Sequence, residues 1–123
     1  MFLKLNHQKL EIYSVSGAFV LESYKLTGHL PTEEKFGMIA QIRRAALSVH
    51  LNIAEGLLRK PEPERKRYYE IARGSVIEID AALAIAGDLG YGNILDLARL
   101  GESMINCFKM LSGLITAHVG SKG

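Results

Sequence analysis

Apolar residues recur along this chain with the period of an α-helix, and the pattern is densest from Gln41 to Gly56, QIRRAALSVHLNIAEG. Ile42, Ala46, Val49 and Ile53 fall on one stripe at spacings of four, three and four. Leu47, Leu51, Ala54 and Leu58 make a second stripe on another side. Between the two runs a polar file of Gln41, Arg44, Ser48, Asn52 and Glu55, which at about 100° per residue fills a narrow sector of the helical wheel. A surface helix ordinarily has one apolar face and one broad polar face. This one is expected to be covered on two sides, with its polar file partly enclosed.

The same periodicity predicts three further helices, and strand alternation is nearly absent. The first helix is expected over about residues 7–27, with Ile12, Val15, Phe19 and Leu26 on one stripe and Tyr13, Gly17, Val20 and Tyr24 beside it. Gly28 suits a left-handed helix end, followed shortly by Pro31. Thr32 is the expected N-cap of the second helix (about residues 32–58), with Pro31 and Phe36 spaced as a hydrophobic staple and Gly37 marking a kink or short break. Pro61 and Pro63 punctuate the turn into the third helix, about residues 63–87. Its main stripe reads Tyr68, Ala72, Ser75, Ile79, Leu83 and Ala86. Asn93 is the expected cap of a fourth helix running to about residue 118, with Leu97, Leu100, Met104, Cys107, Leu111 and Leu114 as its stripe. The last residues, Gly120 to Gly123, are expected to be disordered. Four long helices on short connections predict an all-α fold, an up-down-up-down antiparallel four-helix bundle in a single domain spanning residues 1–123.

Composition narrows the function classes rather than choosing one. A chain of 123 residues with 48% apolar content can bury a core without disulfides or metal. The net charge of +2 argues for no partner by itself. One cysteine, Cys107, forms no intramolecular disulfide, the apolar run of MFLKLNHQ is too short for a signal peptide, and no run is long enough for a membrane span. A cytoplasmic protein without membrane contact is expected. The histidines His7, His29, His50 and His118 are scattered and no Glu-x-x-His pair occurs, so neither a metal nor another cofactor is expected. Cys107 lies in an apolar stripe and reads as core; His50 lies opposite the polar file and reads as surface.

Three segments carry a family resemblance: RRAALSVHLNIAEG at Arg43–Gly56, IARGSVIEI at Ile71–Ile79 and DLGY at Asp88–Tyr91. They resemble the four-helix-bundle proteins named after their reading frames in intervening sequences of 23S rRNA genes, to which the accessory protein of diversity-generating retroelements is similar. The resemblance implies an up-down bundle that assembles into a ring, a homo-oligomer of five copies. For the retroelement relatives it also implies a basic surface used with RNA or DNA and a reverse transcriptase as partner. It implies no enzymatic activity.

Two features are candidates for that role. With the second and third helices packed antiparallel, Arg44 is expected near Glu78, Ser48 near Gly74 and Ser75, and Asn52 near Ile71. The file is then either an internal network, with an Arg44–Glu78 ion pair and Gly74 letting the backbones approach, or a seam facing another subunit or ligand. The network comprises Arg44, Ser48, Asn52, Glu55, Ser75 and Glu78. Glu55 is disfavoured near a helix C-terminus by the dipole, so Arg59 four residues on, or Arg73 from the third helix, is its expected partner. The second feature is RKPEPERKR, residues 59–67, where five basic residues and two glutamates share nine positions. Arg59, Lys60, Arg65, Lys66 and Arg67 could hold phosphates, or simply form a solvated turn partly neutralised by Glu62 and Glu64. Of the neighbouring tyrosines, Tyr68 is expected in the core and Tyr69 at the periphery. The leading expectation is a non-enzymatic homo-oligomeric bundle binding nucleic acid or a nucleic-acid-processing partner. The alternative is a structural or protein-interaction module with no nucleic-acid role.

Overall fold

The computed structural model describes residues 2–94 and 96–120. Four α-helices follow one another: α1 (Glu11–Thr27), α2 (Met38–Leu58), α3 (Glu62–Asp88) and α4 (Leu97–Gly120), with short 3-10 turns at Asn6–Lys9, Thr32–Glu34 and Tyr91–Ile94. Each packs on its neighbours in the cycle α1–α2–α3–α4–α1, the arrangement of an antiparallel up-down-up-down bundle. Among the described residues no helix is long and apolar enough to cross a membrane.

The buried positions explain why the helices lie nearly parallel. They are Ile12, Ser16, Phe19, Ser23, Leu26 and Thr27 on α1, and Ile42, Ala45, Ala46, Val49, Ile53 and Gly56 on α2. On α3 they are Tyr69, Ala72, Val76, Ile79 and Ala86, and on α4 Leu100, Met104, Cys107, Leu111 and Ile115. Steps of three and four alternate through most of each set, which keeps one seam turned inward when helices coil gently around each other. On α1 the period holds only if Ser16 and Ser23 count as core. Both are fully buried, and Ser23 Oγ is satisfied by donating to the carbonyl of Phe19 on its own helix at 2.9 Å.

Several local expectations are corrected. Residues 6–9 form a separate 3-10 turn, and the extended backbone of Leu10 (φ −76°, ψ 142°) divides it from α1. Gly28 is right-handed (φ −62°, ψ −19°), so α1 does not end in a left-handed cap. Among the described residues Gly90, at φ 86°, is the one with positive φ, and it follows the end of α3. Thr32 heads a 3-10 turn rather than α2. The chain breaks at Gly37, and Glu34 reaches forward to accept the Met38 amide at 3.3 Å. Tyr91 donates to the other Glu34 oxygen at 3.0 Å and ties the α3–α4 connection to this break. Phe36 is almost wholly exposed and forms no staple. Asp96, not Asn93, caps α4, accepting from the Ala98 amide at 3.2 Å. Gly120 closes α4, and the rest of the tail expected to be disordered, 121–123, lies outside the described residues.

The α3 stripe is rotated by one residue at its start. Tyr69 is buried and Tyr68 half-buried, the reverse of the expectation. The cause is Gly56, whose missing side chain leaves the space that the Tyr69 ring fills. Gly74 is exposed and nothing lies near it, so it does not mediate the α2–α3 approach.

Candidate functional site

The α2–α3 pair carries both sequence candidates. In the middle of the seam Ser75 Oγ donates to Ser48 Oγ at 3.2 Å, and Asn52 donates to the Ser48 carbonyl at 2.9 Å and to its hydroxyl at 3.1 Å. The three side chains are half-buried and bonded to one another. The expected Arg44–Glu78 ion pair does not form. Both residues are exposed, and Glu78 accepts instead from Gln41 at 3.3 Å. The seam is narrower than expected. Past Ser48 the helix surface turns outward, so Arg44 sits beside the outward leucines while Gln41, nearly one turn back, lies over α3. Asn52 bonds within α2 rather than across to Ile71, which is exposed.

At the far end of α2, Glu55 pairs with Arg59, as i and i+4 neighbours. The Arg59 guanidinium also lies over the Tyr68 ring, 5.2 Å from its centroid, and donates to the Tyr68 hydroxyl at 3.4 Å. That hydrogen bond, followed by the charges around it, raises the Arg59 pKa further above its ordinary value. Arg73, the other candidate partner of Glu55, donates to Ser112 of α4 at 3.3 Å. Arg65 folds back from the start of α3 and donates to the carbonyls of Arg59 (3.2 Å) and Lys60. Those groups follow the last turn of α2, where carbonyls lack helical partners. The five-residue basic cluster therefore divides. Arg59 and Arg65 build the turn, while Lys60 and Arg67 are exposed and Lys66 is half-buried. Glu62 and Glu64 stand among them.

A second cluster joins α1 to α2, and most of it was not anticipated. His50, expected at the surface, is half-buried with its Nδ1 2.7 Å from Ser16 Oγ, and its ring lies 4.6 Å from that of Tyr13. The buried His7 meets Tyr13 edge-on at 5.5 Å, so the N-terminal 3-10 turn is fixed to the bundle through a row of rings. Ser16 is sealed from solvent, which denies its hydroxyl to any substrate despite the adjacent imidazole. Arg43 forms the other tie. It donates to Thr27 Oγ1 at 2.8 Å and to the Tyr24 carbonyl at 3.2 Å, and lies 4.8 Å over the Tyr24 ring. Its position beside Arg44, one step off the polar file toward α1, was the available sequence signal.

Burial lowers the pKa of His50 from the ordinary 6.5. Protonation therefore favours the unfolded chain. The stability contributed by the neutral ring is complete above pH 6.5 and is lost as pH falls below it. Thermal denaturation between about pH 7.5 and about pH 5 should show declining stability, with a shallower decline for His50→Gln. Equal slopes for the two proteins would exclude His50 as the group responsible.

Among the described residues no group of three or more His, Cys, Asp or Glu side chains is placed to hold a metal ion. Cys107 is buried in the core, and desolvation pushes its thiol up to about 12, far from the thiolate that a nucleophile requires. The described surface carries open grooves. One, of about 420 Å³ between α3 and α4, has a floor of Val76 and Met104 and walls of Ile77, Ile105 and Phe108, with Asp80 and Lys109 at its rim.

A family model described as the 23S rRNA-intervening sequence protein matches residues 8–113, which takes in α1, α2, α3 and most of α4. No curated protein matches the chain.

Proposed function

The chain belongs to the 23S rRNA-intervening sequence protein family, and we propose that it acts without catalysis, as a homo-oligomeric bundle that presents the basic α2–α3 turn to nucleic acid. The observation that carries this reading is the outer face of α2. Leu47, Leu51 and Leu58 are 41%, 52% and 52% exposed there, in a row that ends at the basic turn. Apolar side chains aligned on one face favour association. Association repeats the turn once per copy, which multiplies weak phosphate contacts. Five copies is the number favoured by the resemblance to ring-forming relatives, and a reverse transcriptase is the protein partner that the retroelement resemblance favours.

The structure changes which substitutions test the turn. Arg65 supports the α2 end, so its removal would confound folding with binding. The triple replacement of Lys60, Lys66 and Arg67 by Ala leaves the Arg59 and Arg65 contacts in place. It should weaken binding to RNA or DNA and reduce the salt slope by about one for each phosphate no longer neutralised, with helicity unchanged. Wild-type protein that assembles but binds neither RNA nor DNA at low salt would leave the structural or protein-interaction module as the function. A single sedimenting species of 13.6 kDa would exclude assembly.

A further inference from the structure

We propose that the contact between copies is heterologous: the α2 stripe of Leu47 and Leu51 in one copy seats in the α3–α4 groove of the next, over Ile77, Ile105 and Phe108. The inference rests on the assembly proposed above and specifies the two faces that meet. Both are available in the single chain. Ile77, Ile105 and Phe108 are 53%, 57% and 38% exposed, large side chains around a concave apolar floor. The α2 stripe is the complementary shape, a convex row on the outside of a helix.

Register brings the two faces to the same height. Ser48 faces Ser75 across α2–α3, so in that antiparallel pair Leu47 lies level with Val76 and Arg44 with Ile79. Arg73 faces Ser112 across α3–α4, so Ile77 lies level with Phe108 and Asp80 with Ile105. In a ring whose axis runs along the bundle, all copies sit at one height. Leu47 of one copy then meets Ile77 and Phe108 of the next without a shift along the axis. The same alignment sets Arg44 beside Asp80. Both are exposed, and neither has an ion pair or hydrogen bond to another described residue, so each supplies a charge that the other lacks. One face meeting a different face is the geometry that closes into a ring when the rotation per copy is right.

Complementary knockouts test this directly. Leu47→Glu destroys the stripe and keeps the groove; Ile105→Glu destroys the groove and keeps the stripe. Both positions are exposed in the single chain, so each variant should keep wild-type helicity. Each variant alone should sediment as a monomer, and an equimolar mixture should form a pair of twice the 13.6 kDa chain mass, through the one intact stripe and the one intact groove. A second arm uses charge. Arg44→Glu should weaken assembly at least tenfold, and Asp80→Arg in the same chain should restore it. If wild type assembles while either knockout still assembles, or the mixture fails to pair, the assignment of faces is overturned and assembly stands. If wild type itself is monomeric, the assembly reading and this inference fall together.

Discussion

Replacing Gly56 by Ala is expected to lower stability by about 1–3 kcal/mol, although Ala is the better helix former. A Cβ at this position would lie 2.7 Å from Tyr69 Cε1, 3.0 Å from its Cδ1 and 3.1 Å from Tyr68 Cβ. The first two atoms belong to Tyr69, which is 2% exposed and packed in the core. The third is fixed to the α3 backbone. Relief therefore requires α2 and α3 to separate, and that movement also strains the contacts of Arg59 with Tyr68 and of Arg65 with the end of α2. Gly113 is the control: it lies inside α4 with nothing near an added Cβ, so Gly113→Ala should raise stability by about 1 kcal/mol through helix propensity alone. Urea unfolding at one fixed protein concentration reads both, since the midpoint of an assembling protein shifts with concentration. A Gly56→Ala midpoint at or above wild type would contradict the close α2–α3 packing.

Helix order, bundle topology and most of the core were legible because hydrophobic period is a long-range signal, averaged over many residues. What failed was decided by one or two groups. Gly28 and Gly90 are both glycines at helix ends, and the intrinsic freedom of glycine does not say which adopts positive φ. Tyr68 and Tyr69 are adjacent and chemically identical; the choice between them was made by Gly56 on another helix. Ser16 and Ser23 were passed over because a hydroxyl reads as polar, yet a serine that bonds its own helix backbone can enter a core. The Arg44–Glu78 expectation had the right helix pair and nearly the right register, but it ignored rotation about the helix axis. That rotation decides whether a side chain faces a neighbour or water. The division of the basic cluster was illegible for a related reason: only the approach of Arg65 to the end of α2 distinguishes an arginine that builds the turn from one that can reach a ligand.

Those corrections relocate the chemistry of the α2–α3 pair. In the enclosed part of the polar seam Ser48, Asn52 and Ser75 bond to one another, with the Ser48 hydroxyl accepting from both neighbours. Arg44 is freed from a structural role, so Arg44→Ala should leave the stability of the single chain nearly unchanged. Its effect is expected where copies meet. The surface proposed to meet other copies and nucleic acid thus lies outside the seam, on the exposed leucines and the turn beyond them.

Replacing Phe19 by Ala is expected to cost about 3–5 kcal/mol, a larger loss than that of Gly56→Ala. Phe19 is fully buried, and it is flanked along the α1 seam by Ser16 and Ser23, both small and both fully buried. One large side chain therefore fills the middle of the α1 contribution to the core. Its removal leaves a cavity that neither serine can fill, and the ties of Ser16 to His50 and of Thr27 to Arg43 hold the two halves of α1 at their present distance from α2. Collapse around the void is thereby restricted, which places the cost toward the upper part of the range for such truncations. Ser23→Ala is the matched comparison. The Phe19 carbonyl that Ser23 contacts keeps its helical partner, so that change should cost less than about 1 kcal/mol. Thermal unfolding should separate the two clearly, at roughly 4 °C per kcal/mol for a chain of this size. Equal losses for the two variants would mean that α1 is held by its polar ties rather than by Phe19.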